Sequence, residues 1–137
     1  MFYETIDDIT ADAGIRVRAE SLEELFCRAL LATFNEITDI DRVEPAESHE
    51  IEAQSPLPFL LADIINEALV LHESKGFVAS RCEVVELRED YVKVRLSGEK
   101  FNPDRHTSKL VIKAATYHRL RVSKEDSHYV GEVIFDI

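Results

Sequence analysis

The chain has 137 residues, with 16 Lys and Arg against 27 Asp and Glu, a formal net charge of −11; that length suits one domain, residues 1–137, around one core. A negative field of this size repels a phosphate backbone at every distance beyond direct contact, which argues against autonomous nucleic-acid binding. With 45% hydrophobic and 31% charged residues the composition is that of a folded globule, and apolar runs such as Phe59-Leu60-Leu61-Ala62 fall far short of the ~20 residues that span a bilayer.

In chain order, two short strands are expected at about Phe2 to Ile6 and Ile15 to Ala19, joined by a tight connection at Asp12-Ala13-Gly14. Ser21-Leu22-Glu23-Glu24 has the spacing of a capping box, in which a hydroxyl and a carboxylate satisfy the unpaired amides of a helix start. Leu22, Leu25, Phe26, Ala29, Leu30, Thr33, Phe34 and Ile37 then recur at three- and four-residue steps, an apolar stripe that predicts a helix facing the core. After the acidic loop 38–48, His49, Ile51 and Ala53 alternate with Glu50, Glu52 and Gln54 as a half-buried strand does. Ser55-Pro56 and Gly76 bracket a second helix of about twenty residues. Its wide apolar face, Leu60, Leu61, Ile64, Ile65, Ala68, Leu69 and Leu71, predicts a central position.

From Phe77 onward the period becomes two. Cys82 to Leu87 and Val92 to Leu96 read as a hairpin turning at Arg88-Glu89-Asp90. A polar loop, Gly98 to Ser108, leads to strands expected at Lys109–Thr116, His118–Val122 and His128–Phe135. This order favours an α+β two-layer domain with a mixed or antiparallel sheet and two main helices, not a βαβαβ nucleotide-binding sheet. The start, Met1-Phe2-Tyr3-Glu4, lacks the basic and apolar regions of a signal peptide, and the two cysteines have neither metal-pair nor disulfide-framework spacing. A reducing, cytoplasmic setting is expected, with Cys27 and Cys82 as small core residues.

Residues 1–76 hold 17 acids and 5 bases, residues 77–137 hold 10 acids and 11 bases, so the first half supplies nearly all the negative field. That pattern suits an acidic face for a basic protein partner or solvated helix and strand faces. Only four glycines occur, at 14, 76, 98 and 131, and no phosphate-binding loop can be written with them. Serine-hydrolase, zinc-protease and dithiol signatures are also missing. Two acids stand out: Asp12 in Thr10-Ala11-Asp12-Ala13-Gly14, either a free ligand or an Asx turn, and Asp136 in Val133-Ile134-Phe135-Asp136-Ile137, either a partnered charge or a frayed end. Were they within ~4 Å, repulsion on the order of 4 kcal/mol would require a proton or cation between them. Hard oxygen donors favour Ca²⁺ or Mg²⁺, and the Ile137 α-carboxylate adds another oxygen where the chain ends there. His106 and Lys113 read as surface residues or, in an enzyme, as a general base and an anion stabiliser.

Asp8-Ile9-Thr10-Ala11-Asp12-Ala13-Gly14-Ile15, the Ser21 helix start, Val43-Glu44-Pro45, Ile112-Lys113-Ala114-Ala115-Thr116-Tyr117-His118 and the ending Val133 to Ile137 together resemble the archease family, in order over essentially the whole chain. The resemblance implies an accessory protein of the tRNA-splicing RNA ligase, which joins 2′,3′-cyclic phosphate or 3′-phosphate ends to 5′-hydroxyl ends. Such a protein promotes ligase guanylylation, permits multiple turnover and is not itself a ligase. By resemblance Asp12 and Asp136 match metal-binding acids, with Ile137 as a further ligand and calcium as the usual cation. Lys113 and His106 fall on positions of functional weight. Where the family commonly has histidine before T-A-D, this chain has Ile9. A cytoplasmic monomer without membrane contact is expected. The competing readings are a small metal-dependent phosphoester hydrolase using Asp12, His106 and Asp136, and a general chaperone or adaptor with an acidic docking face.

Overall fold

A computed structural model of the chain describes residues 1–7 and 13–137. Its elements are β1 (Glu4–Thr5), β2 (Ala13–Ala19), α1 (Leu22–Ile37), a 3₁₀ turn (Ile40–Arg42), β3 (Glu47–Gln54), α2 (Phe59–Lys75), β4 (Phe77–Arg88), β5 (Tyr91–Lys100), β6 (Ala114–Ala115), β7 (Arg121–Glu125) and β8 (His128–Asp136). The class is α+β, as the sequence predicts, with the strands divided between two antiparallel sheets. One has the order β1-β2-β8-β6, with β7 also paired to β8, and the other the order β3-β5-β4. Each helix contacts strands of both sheets, α1 on β2, β8 and β4, and α2 on β6, β3, β4 and β5. Among the described residues, no helix is long and apolar enough to cross a membrane.

The first helix forms where its local signals put it. The Ser21 hydroxyl accepts from the Glu24 N–H at 3.2 Å, and the Glu24 carboxylate accepts from the Glu20 N–H at 3.3 Å. Every member of the apolar stripe from Leu25 to Ile37 is buried. The second helix starts later than expected. Ser55 does not cap it; its hydroxyl donates to Asp63 Oδ2 at 2.7 Å, and Pro58 occupies the cap position. The α conformation is disfavoured before each of the two prolines, so the helix begins only after the second. Gly76, at φ 67°, ends it in the left-handed region, its N–H donating to the His72 carbonyl at 2.8 Å. Other boundaries also shift, and the strand expected at His118–Val122 runs instead over Arg121–Glu125. Ala13 and Gly14 are strand, opposite Phe135 and Ile134. β5 continues through Gly98, where a Cβ would lie 1.9 Å from the Val78 carbonyl oxygen, so this glycine permits close strand approach instead of opening a loop.

Cys27 and Cys82 are not free core residues. They form a disulfide that ties α1 to β4, with a Cα–Cα distance of 5.4 Å across 55 residues of sequence, and both are half-buried. No local spacing signals the pair; the packing of α1 on β4 creates it.

Ion pairs lace the polar faces. Glu4, Arg16, Glu132 and Arg121 are register partners across β1, β2, β8 and β7, a row of alternating charge. Arg16 and Arg121 both donate to Glu132 Oε1, at 2.8 and 2.9 Å. Burial alone would raise the Glu132 pKa, but these two guanidiniums outweigh it and hold the group below its ordinary value. On the second sheet Arg95 bridges its register partners Glu50 and Glu83 at 2.7 and 3.3 Å. The Arg95 hydrogen bond, and after it Lys93, lowers the Glu50 pKa.

Two outcomes are expected. The disulfide closes a loop of 55 residues, for which chain entropy predicts up to about 4 kcal/mol. Reduction, or the double substitution Cys27→Ala/Cys82→Ala, should therefore lower the urea midpoint; an unchanged unfolding curve would show that the bond adds nothing. Folded-state pKa values below the unfolded carboxylate value of about 4.3 give stability that is complete above that pH and is lost as pH falls through the lower folded values. Stability should be flat from neutrality to about pH 5 and then decline, and Glu132→Gln should make the acid decline shallower than in the wild type.

Candidate functional site

The last residues of β8 are held from both sides. On one side β2 begins at Ala13, the register partner of Phe135. On the other, Ala114 and Ala115 of β6 face Asp136 and Phe135. The Lys113 N–H donates to the Asp136 carbonyl at 2.8 Å, and the Thr116 N–H and hydroxyl both donate to the Ile134 carbonyl at 2.9 and 2.8 Å. The Asp136 side chain is exposed, and Ile137 is 39% exposed. Asp12 lies outside the described residues. The structure thus brings Lys113 and Asp136 together through their backbones.

The strand expected over Lys109–Thr116 is real only at Ala114–Ala115. Its first amides are taken by a helix end: the Lys109 and Leu110 N–H groups donate to the Ile37 and Glu36 carbonyls, both at 3.0 Å, and Lys109 Nζ donates to the Asn35 carbonyl at 2.8 Å. α1 has no basic residue in its last turn; Lys109 supplies from another segment the positive charge that a helix C-terminus favours.

α2 grips the same segment further along. The Asn66 amide nitrogen donates to the Ala115 carbonyl at 3.0 Å and its oxygen accepts from the Ala115 N–H at 2.8 Å, so one side chain acts as a strand neighbour. Tyr117 donates to Asp63 Oδ1 at 2.6 Å, which raises the Tyr117 pKa, and its ring lies 4.9 Å from that of Phe59. Residues 109–117 therefore run antiparallel to α2. Between them and the end of α1 opens a cleft of about 480 Å³, walled by apolar side chains such as Leu69 and Phe101, with His72, Glu73 and Lys113 on its lining. Sequence reasoning missed Asn66 and Asp63, because a single amide or acid on a helix carries no local signature of a distant partner.

His106 serves elsewhere. It is 4% exposed, its Nδ1 accepts from the Asn102 N–H at 2.8 Å, and its Nε2 meets Glu99 Oε2 at 3.2 Å. Since the amide can only donate, the ring proton sits on Nε2. Glu99 also accepts from the Glu44 N–H at 2.6 Å and pairs with Arg105. The Glu44 amide first, then His106 and Arg105, hold its pKa low. This cluster fastens the loop after β5, and none of the His106 contacts named reaches Asp136 or Lys113.

Among the described residues no group of three or more His, Cys, Asp or Glu is placed to hold a metal ion. Asp136 contributes an exposed carboxylate at the strand end, a hard oxygen donor of the kind Ca²⁺ and Mg²⁺ prefer.

Comparison with known proteins gives a consistent answer. Residues 3–137 match the model of the Archease protein family. The chain is similar to the protein archease of Methanopyrus kandleri, 44% identical over 132 residues that cover 93% of this chain and 94% of that one. It is also similar to that of Sulfolobus acidocaldarius, 38% identical with 95% of each covered. In fold it resembles the solution structure of Methanobacterium thermoautotrophicum protein 1598, with a TM-score of 0.83, 30% identity and 99% of both chains covered. A crystal structure from Thermotoga maritima, described as an archease and possible chaperone, shares the fold with a TM-score of 0.59 at 23% identity, covering 98% of this chain and 97% of that one.

Asn66→Ala should leave the buried Ala115 backbone without its partners, at a cost of about 1–3 kcal/mol. Hydrogen exchange at the Ala115 amide should accelerate more than at the β2–β8 ladder; equal protection in both proteins would show that the side chain does not hold the segment.

Proposed function

The chain belongs to the archease family, and from that premise we propose that it is the accessory protein of a tRNA-splicing RNA ligase, promoting guanylylation and repeated turnover of that enzyme without catalysing a step itself. The observation that carries this reading is the family match across residues 3–137. The chemistry of the chain agrees with it. A net charge of −11 and four glycines in no phosphate-binding spacing leave RNA and nucleotide to the ligase. The setting proposed is the cytoplasm, on the family match alone, because the Cys27–Cys82 disulfide removes the argument for a reducing setting from unpaired cysteines.

The working end in this reading is the end of β8. Asp12 and Asp136, with a backbone oxygen of Ile137, would hold a divalent cation, Ca²⁺ or Mg²⁺, because hard cations take oxygen donors. Such an ion, when bound, supplies positive charge that stabilises a transferring phosphoryl or nucleotidyl group. The chain's own part is presentation: strand pairing on both sides of Phe135 and the Lys113 bond to the Asp136 carbonyl fix the backbone that carries this exposed carboxylate at the end of β8.

The hydrolase alternative loses its general base, because both nitrogens of His106 are engaged inside the loop after β5. The chaperone reading has in its favour the description of the Thermotoga maritima protein as a possible chaperone, and the same experiment separates it. RNA ligation with excess substrate, the cognate ligase, GTP and divalent metal should be stimulated by the wild type. Asp12→Ala and Asp136→Asn should lose that stimulation by about tenfold or more, the scale on which metal-site substitutions act, with thermal unfolding unchanged. Full stimulation by both variants would remove the working end from β8, and none by the wild type would overturn the proposed function.

A further inference from the structure

Met1 and Phe2 before β1 and Val85 on β4 are exposed apolar side chains, and a further group of them lies on α2 and the segment beside it. Val111 is 76%, Val70 59%, Tyr117 54% and Phe59 40% exposed, and all four belong to α2 or to the segment that runs along it. Positions 59, 63, 66 and 70 follow one another at steps of four, three and four, a single row on the helix. Three of them are seen to face the segment: Phe59 against the Tyr117 ring, Asp63 on the Tyr117 hydroxyl, Asn66 on the Ala115 backbone. Val70 is the next member of that row. Glu67 and Glu73 of α2, exposed beside it, give the row an acidic margin, and exposed Lys113 lies across from them.

We propose that this face, the outer row of α2 with residues 111–117, is the surface on which a protein partner docks, and that the partner presents apolar side chains surrounded by lysines or arginines. The proposal rests on the accessory-protein reading and gives it a place: the partner is the ligase. Three observations argue for that occupant. Rigid aromatic anchors such as Tyr117 are the side chains that carry most binding energy at interfaces. Here the ring is already fixed by Asp63, which Ser55 holds in turn, so little ordering remains to oppose association. The carboxylates at the margin, in a chain of net charge −11, attract a basic surface and repel an acidic one. The face is also continuous with the proposed working end, because Ala114 of the same segment is the register partner of Asp136. A ligase seated here would have the Asp136 carboxylate beside it.

The test is titration of the purified ligase with wild-type protein, Val70→Asp and Val111→Asp, by calorimetry at two salt concentrations, with ligation measured alongside. Both valines are largely exposed, so thermal unfolding should not change. The expected result is wild-type binding that weakens with salt and a loss of affinity of about tenfold or more in each variant, the scale of an interface anchor. Variants that bind and stimulate like the wild type overturn the docking face while leaving the accessory function standing. A wild type that neither binds nor stimulates the ligase overturns both. A wild-type dimer in sedimentation velocity that Val111→Asp dissociates assigns the face to a second copy of the chain and overturns the proposal.

Discussion

The two hydrogen bonds between the Asn66 side chain and the Ala115 backbone join parts of the molecule that nothing local would bring together. Through them α2 becomes the outer neighbour of β6, which is only two residues long and could not by itself define an edge. β6 in turn is the partner of the last two residues of β8. The position of Asp136 therefore depends on a helix that packs on the other sheet, and the depth of the cleft and the exposure of Val111 follow from the same arrangement. The end of α1 completes it, because its last carbonyls take the Lys109 and Leu110 amides that would otherwise extend the strand.

Charge is distributed on a similar principle of distant pairing. In the sequence the first half is acidic and the second nearly balanced, as if one half of the molecule were a negative face. The fold interleaves the two. Strand β3 from the first half lies on β5 from the second, so Glu50 meets Arg95 and Lys93. Arg16 from the first half and Arg121 from the second converge on Glu132. Much of the basic charge is thereby committed to sheet faces, and acids such as Glu23, Glu67 and Glu73 remain exposed on the helices. The sheets keep nearly balanced rows, and the negative charge belongs to the helices and to the connecting segments.

How much of this could be read from the residues depends on the range of the interactions involved. α1 was legible because its cap and its stripe are both local, and the stripe from Leu25 onward is buried as the period demands. The β4–β5 hairpin was legible for the same reason. The start of α2 was not, because Ser55 has two possible uses and spends its hydroxyl on Asp63 eight positions away. Lys109–Thr116 carries a short apolar run, Leu110-Val111-Ile112, as a strand would, but the competing acceptors are the carbonyls of a helix more than seventy residues earlier, as the Lys109–Asn35 contact shows. The disulfide, with its 55-residue separation, is legible only once α1 and β4 are packed. Of the candidate site, Asp136 is marked in the sequence as the charge that closes an apolar run, and Lys113 is its backbone neighbour. His106 turned out to be a buried fastener, and Asn66 gave no signal.

Asp136 illustrates why the paired end matters physically. A carboxylate on an unpaired segment is ordinarily solvated and mobile, and each binding event must then order it again. Here the preceding residue is laddered to strands on both sides, and the Asp136 carbonyl accepts a hydrogen bond at 2.8 Å from Lys113. The side chain retains rotamer freedom while its backbone does not, so most of the ordering entropy has been met during folding. An exposed acid on a fixed backbone is a poor design for solubility alone, which a loose tail would serve equally well. It suits a group that must meet the same partner atoms in the same geometry each time.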